Sequence, residues 1–77
     1  MLAILKERID QWKALEQQGK QPTLFITLTN NRTINVLEVV DARATAIKIT
    51  ERLAMDTQNV VVFSPLSIVT VDLKWQP

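Results

Sequence analysis

Apolar residues recur along the 77-residue chain at two different rhythms. From Met1 to about Gln18 the spacing is three or four: Leu2, Leu5, Ile9 and Trp12, with Leu15 on the same broad face. Lys6, Glu7, Asp10, Lys13, Glu16 and Gln17 take the opposite side, which predicts an amphipathic helix. Gly19 stands where a left-handed residue ends a helix, and Pro22 follows as a stop.

After Pro22 the rhythm shortens to two. Leu24, Ile26 and Leu28 share one face of a strand over Thr23–Thr29, with Phe25, Thr27 and Thr29 on the other. Asn30-Asn31 suits a tight turn, because Asn tolerates positive φ better than any residue except Gly. A second strand starts at Arg32 or Thr33 and runs towards Asp41. Ile34, Val36 and Val40 share one parity, whereas Leu37 and Val39 share the other. An apolar set that changes face midway predicts a bend or bulge.

Ala42-Arg43-Ala44 reads as a short connection, and Thr45–Thr50 as a third strand with Ile47 and Ile49 on one face. Glu51–Asn59 is polar and reads as a strand extension or a loop. A fourth strand, Val60–Ser64, is apolar on both faces, and Pro65 interrupts it. Ile68–Leu73 forms the fifth. One helix followed by five short strands predicts a mainly β domain built as a strongly bent barrel. It occupies residues 1–77, with the helix in 1–19 and the barrel in 23–73.

The fourth strand poses a problem. Val60-Val61-Val62-Phe63 has no polar side, so water should lie against neither face. At a sheet edge its bare N–H and C=O groups would invite another chain. Either the strand lies centrally or a neighbouring subunit completes it. With so little chain left to cover it, the second option is favoured, since a domain this small has only a marginal core.

Composition narrows the chemistry. There is neither Cys nor His, which removes disulfides, thiolate metal sites and the commonest general base. The eight acids are scattered without calcium-loop spacing, so no metal or other cofactor is expected. The hydroxyls of Ser64, Ser67 and the threonines have no His to activate them, and no acid pair is placed for catalysis. The chain does not read as an enzyme. A net charge of +1 is far from the basic excess of a dedicated DNA-binding domain. No apolar run approaches the roughly 18 residues of a membrane span. Charges at Lys6, Glu7, Arg8 and Asp10 argue against a signal peptide, and Met1 stands as a natural start. The lack of Cys fits a cytoplasmic setting.

The order and spacing of these pieces resemble the Sm-like family, which includes the bacterial Hfq proteins. Ile26-Thr27-Leu28, Asn30-Asn31, Ile34 and Val40-Asp41 stand in the places of its first motif, and Ile68-Val69-Thr70-Val71 is similar to the end of its second. The resemblance covers about Leu24 to Leu73, with a helix correctly placed before it. It implies five strands closed as a small SH3-like barrel. It also implies homo-oligomeric rings of about five to seven subunits, the fourth strand of one copy joining the fifth of the next. Val60, Val61, Val62, Phe63, Ile68, Val69 and Val71 would then form the subunit interface.

By the same resemblance, single-stranded RNA would meet the loops around a central pore. Asp41, Arg43 and Thr45 fall on the family's loop Asp, stacking and Asn positions, and Ser64 and Leu66 line the second loop. The departures matter. Val36 replaces the Gly of the bent strand, so curvature has to come from a bulge. Thr45 offers one hydroxyl where a carboxamide reads a base edge. Ser64-Pro65-Leu66 replaces a charged or aromatic loop. Arg43 is either a stacking residue or an ordinary loop Arg paired with Asp41 or Glu38. Two functions follow: a ring binding single-stranded RNA, or a structural or adaptor ring that has lost those contacts. A monomeric SH3-like peptide-binding module fits less well, because such grooves need several aromatic residues and the chain has two Phe and two Trp.

Overall fold

Helix α1 (Leu2–Gln17) forms over the three-and-four stripe, and its buried residues are Leu5, Ile9 and Trp12. Gly19 ends it at φ +79°. The Gly19 N–H donates to Glu16 O at 3.1 Å and the Lys20 N–H to Leu15 O at 3.2 Å, a pair of bonds that satisfies the last helical carbonyls. The structure, a computed structural model, describes residues 2–75. The expected start of the helix at Met1 lies outside them.

Five strands follow: β1 (Thr23–Leu28), β2 (Thr33–Ala42), β3 (Ile47–Arg52), β4 (Gln58–Phe63) and β5 (Ile68–Lys74). They make one antiparallel sheet in the order β4-β3-β2-β1-β5. The β1–β2 turn places only Asn31 at positive φ, 66°, and the Asn30 carboxamide oxygen accepts from the Arg32 N–H at 3.0 Å. The third strand starts two residues later than expected. The Arg43 N–H donates to Ala46 O at 2.9 Å, and that turn takes up Thr45 and Ala46. Glu51–Asn59 divides between the two readings: Glu51 and Arg52 extend β3, and Ala54–Asp56 is a tight turn.

Strand β2 bends as its mixed parity predicted. Its first residues pair with β1 and its later ones with β3, and the register with β3 slips between Val36 and Glu38 and again between Val39 and Asp41. Each slip adds a residue on one side and increases the local twist. Ile34 and Val36 therefore point into the core, Val39 packs against it partly buried, and Val40 is left in solvent. Val36, lacking the freedom of a Gly, is followed directly by the first irregularity.

The curl is strong enough to bring the two sheet edges near each other. In a flat sheet β4 and β5 would be about 19 Å apart, four spacings of about 4.8 Å. The four-residue link Ser64–Ser67 is folded into a turn by a Ser67 N–H to Ser64 O bond of 2.9 Å, and it cannot span that distance. The barrel is nevertheless not closed. No ladder joins β4 to β5, which remain the outer strands. The backbone of the link is engaged elsewhere: Pro65 has no N–H, Ser64 Oγ accepts from the Leu66 N–H, and Ser67 O accepts from the Thr29 N–H at 2.9 Å.

One core fills the inner face. Leu24, Ile26 and Leu28 of β1, Ile34 and Val36 of β2, and Ile47 and Ile49 of β3 meet Val61 and Phe63 of β4, with Ile68 beside them. The α1 stripe covers this set. Burying each Leu or Ile side chain stabilises by about 1.5–3 kcal/mol before entropy is counted. Leu2, Val71 and Leu73 pack at the margin, where β5 is the last strand.

Candidate functional site: one loop end and two free edges

Pairing of Ala42 with Ile47 and of Ile47 with Phe63 sets the ends of β2 and β4 side by side. The β2–β3 loop (residues 43–46) and the β4–β5 link (residues 64–67) therefore leave the sheet at the same end. These loops carry Arg43, Thr45, Ser64 and Leu66 of the residues picked out by the resemblance, whereas Asp41, expected in the loop, lies near the end of β2 and pairs with Lys48. Register, a non-local property, brings them together.

Their chemistry is modest. Arg43 Nε lies 2.7 Å from Asp41 Oδ2, with the Arg43 side chain exposed and that of Asp41 about half-buried. Of the two carboxylates considered as its partner, the pairing is with Asp41. Such exposed pairs contribute little, about 0–1 kcal/mol, so the guanidinium exchanges partners cheaply. Thr45 is exposed on the loop. Ser64 caps the following turn through its hydroxyl, 3.2 Å from the Leu66 N–H, while Pro65 is buried and Leu66 protrudes into solvent. The loop end thus offers one cation, the three hydroxyl residues Thr45, Ser64 and Ser67, and one bare apolar side chain, Leu66.

The residues expected at a subunit interface separate by face. Val61, Phe63 and Ile68 are buried in the chain's own core. Val60 and Val62 stand outward at 55% and 62% exposure, and Val69 is also exposed; Val71 is partly buried. An interface on β4 would use its edge backbone with Val60 and Val62, because Val61 and Phe63 are already committed. That removes part of the reason for requiring a partner and leaves the edge itself.

A buried polar group went unnoticed in the sequence. Glu51 is 4% exposed, on the face of β3 that carries Ile47 and Ile49. Its Oε1 accepts from Arg32 Nη2 in an ion pair, and from Asn59 Nδ2 at 3.3 Å. Arg32, Glu51 and Asn59 continue the parity of the inward rows Ile34/Val36, Ile47/Ile49 and Val61/Phe63. That shared parity was the available signal. The trio finishes three apolar rows with a satisfied polar cluster, as a buried carboxylate requires.

A loop was foreseen between β3 and β4, but not its backbone conformation. Met55 and Asp56 both have positive φ, 60° and 61°, in a two-residue turn that would suit Asn-Gly. Elsewhere, Trp75 is half exposed and borders shallow depressions between α1 and β5. Among the described residues no group of three or more acids is arranged to hold a metal ion, and no helix is long and apolar enough to cross a membrane. Comparison with protein-family models, with curated proteins and with solved structures finds no match for the chain.

Proposed function

We propose that this chain is an Sm-like subunit with an SH3-like barrel, assembling into a closed homo-oligomeric ring of about five to seven copies. The β4 edge of one copy pairs with the β5 edge of the next. The carrying observation is the strand order, which leaves β4 and β5 unpaired at the two ends of a curled sheet. Val60 and Val62 are exposed on one edge strand and Val69 on the other. Closure of a ring satisfies both edges at once and leaves none free to aggregate.

The proposed activity is binding of single-stranded RNA, not catalysis, in the cytoplasm. Arg43 repeats once per subunit around the ring, so a contact that is weak alone becomes an array of cations facing phosphates. Asp41 holds Arg43 in the free state, and Thr45, Ser64 and Leu66 border the track.

A second reading has its own support: a structural or adaptor ring without RNA binding. Arg43 is occupied by Asp41 at 2.7 Å, and the Ser64 hydroxyl is used inside its own loop. Light scattering separates the assembly from the activity, because a mass that is a multiple of 8.8 kDa supports the ring and a monomer rejects it. Binding of uridine- and adenosine-rich oligomers over a salt series then decides between the readings. Phosphate contacts give a log–log slope of about −0.7 per neutralised phosphate. Arg43→Glu abolishes binding while leaving the ring intact if RNA is the ligand. No binding at low salt favours the adaptor.

A further inference from the structure

We propose that the β3–β4 turn of one copy clasps the groove between α1 and β5 of the next, Met55 against Trp75 and Asp56 against Lys74. The clasp rests on the edge-to-edge assembly proposed above and adds a contact away from the ladder and the loop end.

The donor is an exposed, well-braced tip. Met55 is 94% exposed. The turn is tied by the Leu53 N–H to Thr57 O at 2.9 Å, and Ala54 O accepts both the Thr57 N–H at 3.3 Å and the Thr57 hydroxyl at 2.7 Å. Holding two successive non-glycine residues at positive φ is costly, and such outliers cluster where a side chain must be presented. The acceptor is a mainly apolar depression of about 290 Å³ lined by Ala14, Leu15, Leu73 and Trp75, with Gln11 and Gln18 at its rim. Trp75 is 49% exposed there. Leu73 belongs to β5, so the groove is continuous with the free edge.

Register connects the two. Every ladder in this sheet is antiparallel, the slightly stronger arrangement, and an antiparallel β4–β5 junction sets the start of β4 opposite the end of β5. Opposed residues must face the same side of a sheet. Gln58 and Val60 alternate with the buried Val61 and Phe63, so they face outward; Thr70 and Asp72 alternate with the core-packed Val71 and Leu73 and also face outward. Gln58 opposite Asp72 and Val60 opposite Thr70 satisfy this condition. Beyond Gln58 the chain turns at Ala54–Asp56 and strict register ends, but this pairing sets the β3–β4 tip at the same end of the junction as Lys74 and Trp75.

The chemistries match. A thioether packs well at an aromatic ring, and a carboxylate meets an ammonium. Among the described residues neither Asp56 nor Lys74 has an ion-pair partner in its own chain. Lys74 Nζ lies only over the Phe25 ring, 5.7 Å from its centre.

The chain has no Cys, so single-thiol variants report cleanly. Met55→Cys is mixed with Gln18→Cys, which marks the groove rim and leaves Trp75 in place, and a short bismaleimide is added. The expected result is a dimer joining the two variants, much stronger in the mixture than in either alone, from material whose light-scattering mass is a multiple of the chain. Multimeric mass without that product overturns the clasp and leaves the ring standing; parallel pairing of the edges would give this outcome. A monomeric mass overturns both. Charge exchange gives a second measurement with no cross-linker. Asp56→Lys raises the concentration for half-assembly by about tenfold, and adding Lys74→Asp restores it. Failure of the double variant to recover, with both variants folded, also counts against the clasp.

Discussion

Helix α1 and strand β4 dispose of apolar sequence in opposite ways. The helix is one-sided: Leu5, Ile9 and Trp12 enter the core, and its charged residues face solvent. Strand β4 is two-sided, with Val61 and Phe63 inside and Val60 and Val62 outside, at the edge of the sheet. The buried stripe of the helix is therefore completed within one chain, and only its Ala14–Leu15 flank beside β5 is left for the proposed clasp. The strand is half completed, its inner face serving the fold, its outer face exposed and its edge backbone unpaired by any other strand of the chain. Under the proposed assembly, stability and association are divided between the two sides of one strand.

The largest expected effect lies on the self-contained side. Trp12→Ala removes the biggest side chain of the helical stripe and should destabilise by about 3–5 kcal/mol, read by urea unfolding. A loss below about 1 kcal/mol would mean that the helix is not docked as described.

Next comes the polar cluster that finishes the inward rows. Glu51→Ala should cost about 2 kcal/mol, because Arg32 and Asn59 lose their shared acceptor while Arg32 keeps access to water. Arg32→Met in the same background should recover part of that loss; full additivity of the two changes would deny their coupling.

A smaller effect, of opposite sign, is expected at the β3–β4 turn. Met55→Asn with Asp56→Gly supplies the residues this turn prefers and should stabilise by about 1 kcal/mol, measured at concentrations where the chain is monomeric. The same pair of changes should weaken assembly. A gain in stability with unchanged assembly would separate the strain at this turn from any role in association.

The smallest effect on folding belongs to the outer face of β4. Val60→Lys with Val62→Lys should change unfolding by less than about 0.5 kcal/mol, since both side chains are exposed in the single chain. Its effect should appear in the mass, which falls to that of a monomer because charged residues blunt an edge strand. If unfolding shifts by several kcal/mol instead, the two faces of β4 are not independent.

Much of this architecture is legible in local sequence. The three-and-four stripe and Gly19 mark α1 and its end. The alternation of Leu24, Ile26 and Leu28 marks the inner face of β1, and the parity change after Val36 marks the bend of β2. Each follows from the geometry of a few consecutive residues, which is where propensity and periodicity act. The strand-end residue Asp41 and the loop residues Arg43, Thr45, Ser64 and Leu66 could be singled out by resemblance. Their presence at one end of the sheet depends on the Ala42–Ile47 and Ile47–Phe63 pairings, which no local rhythm specifies.

By itself, then, the chain's pattern determined where the helix and strands form and which residues share a face. It did not determine which face of β4 turns inward, because both are apolar and period two treats them alike. Nor did it reveal that β4 and β5 are the open edges, or that Glu51 meets Arg32 nineteen residues away. The tertiary structure decided these matters. Curvature selects the inner face, and burial of a carboxylate is tolerable only where distant strands deliver its partners.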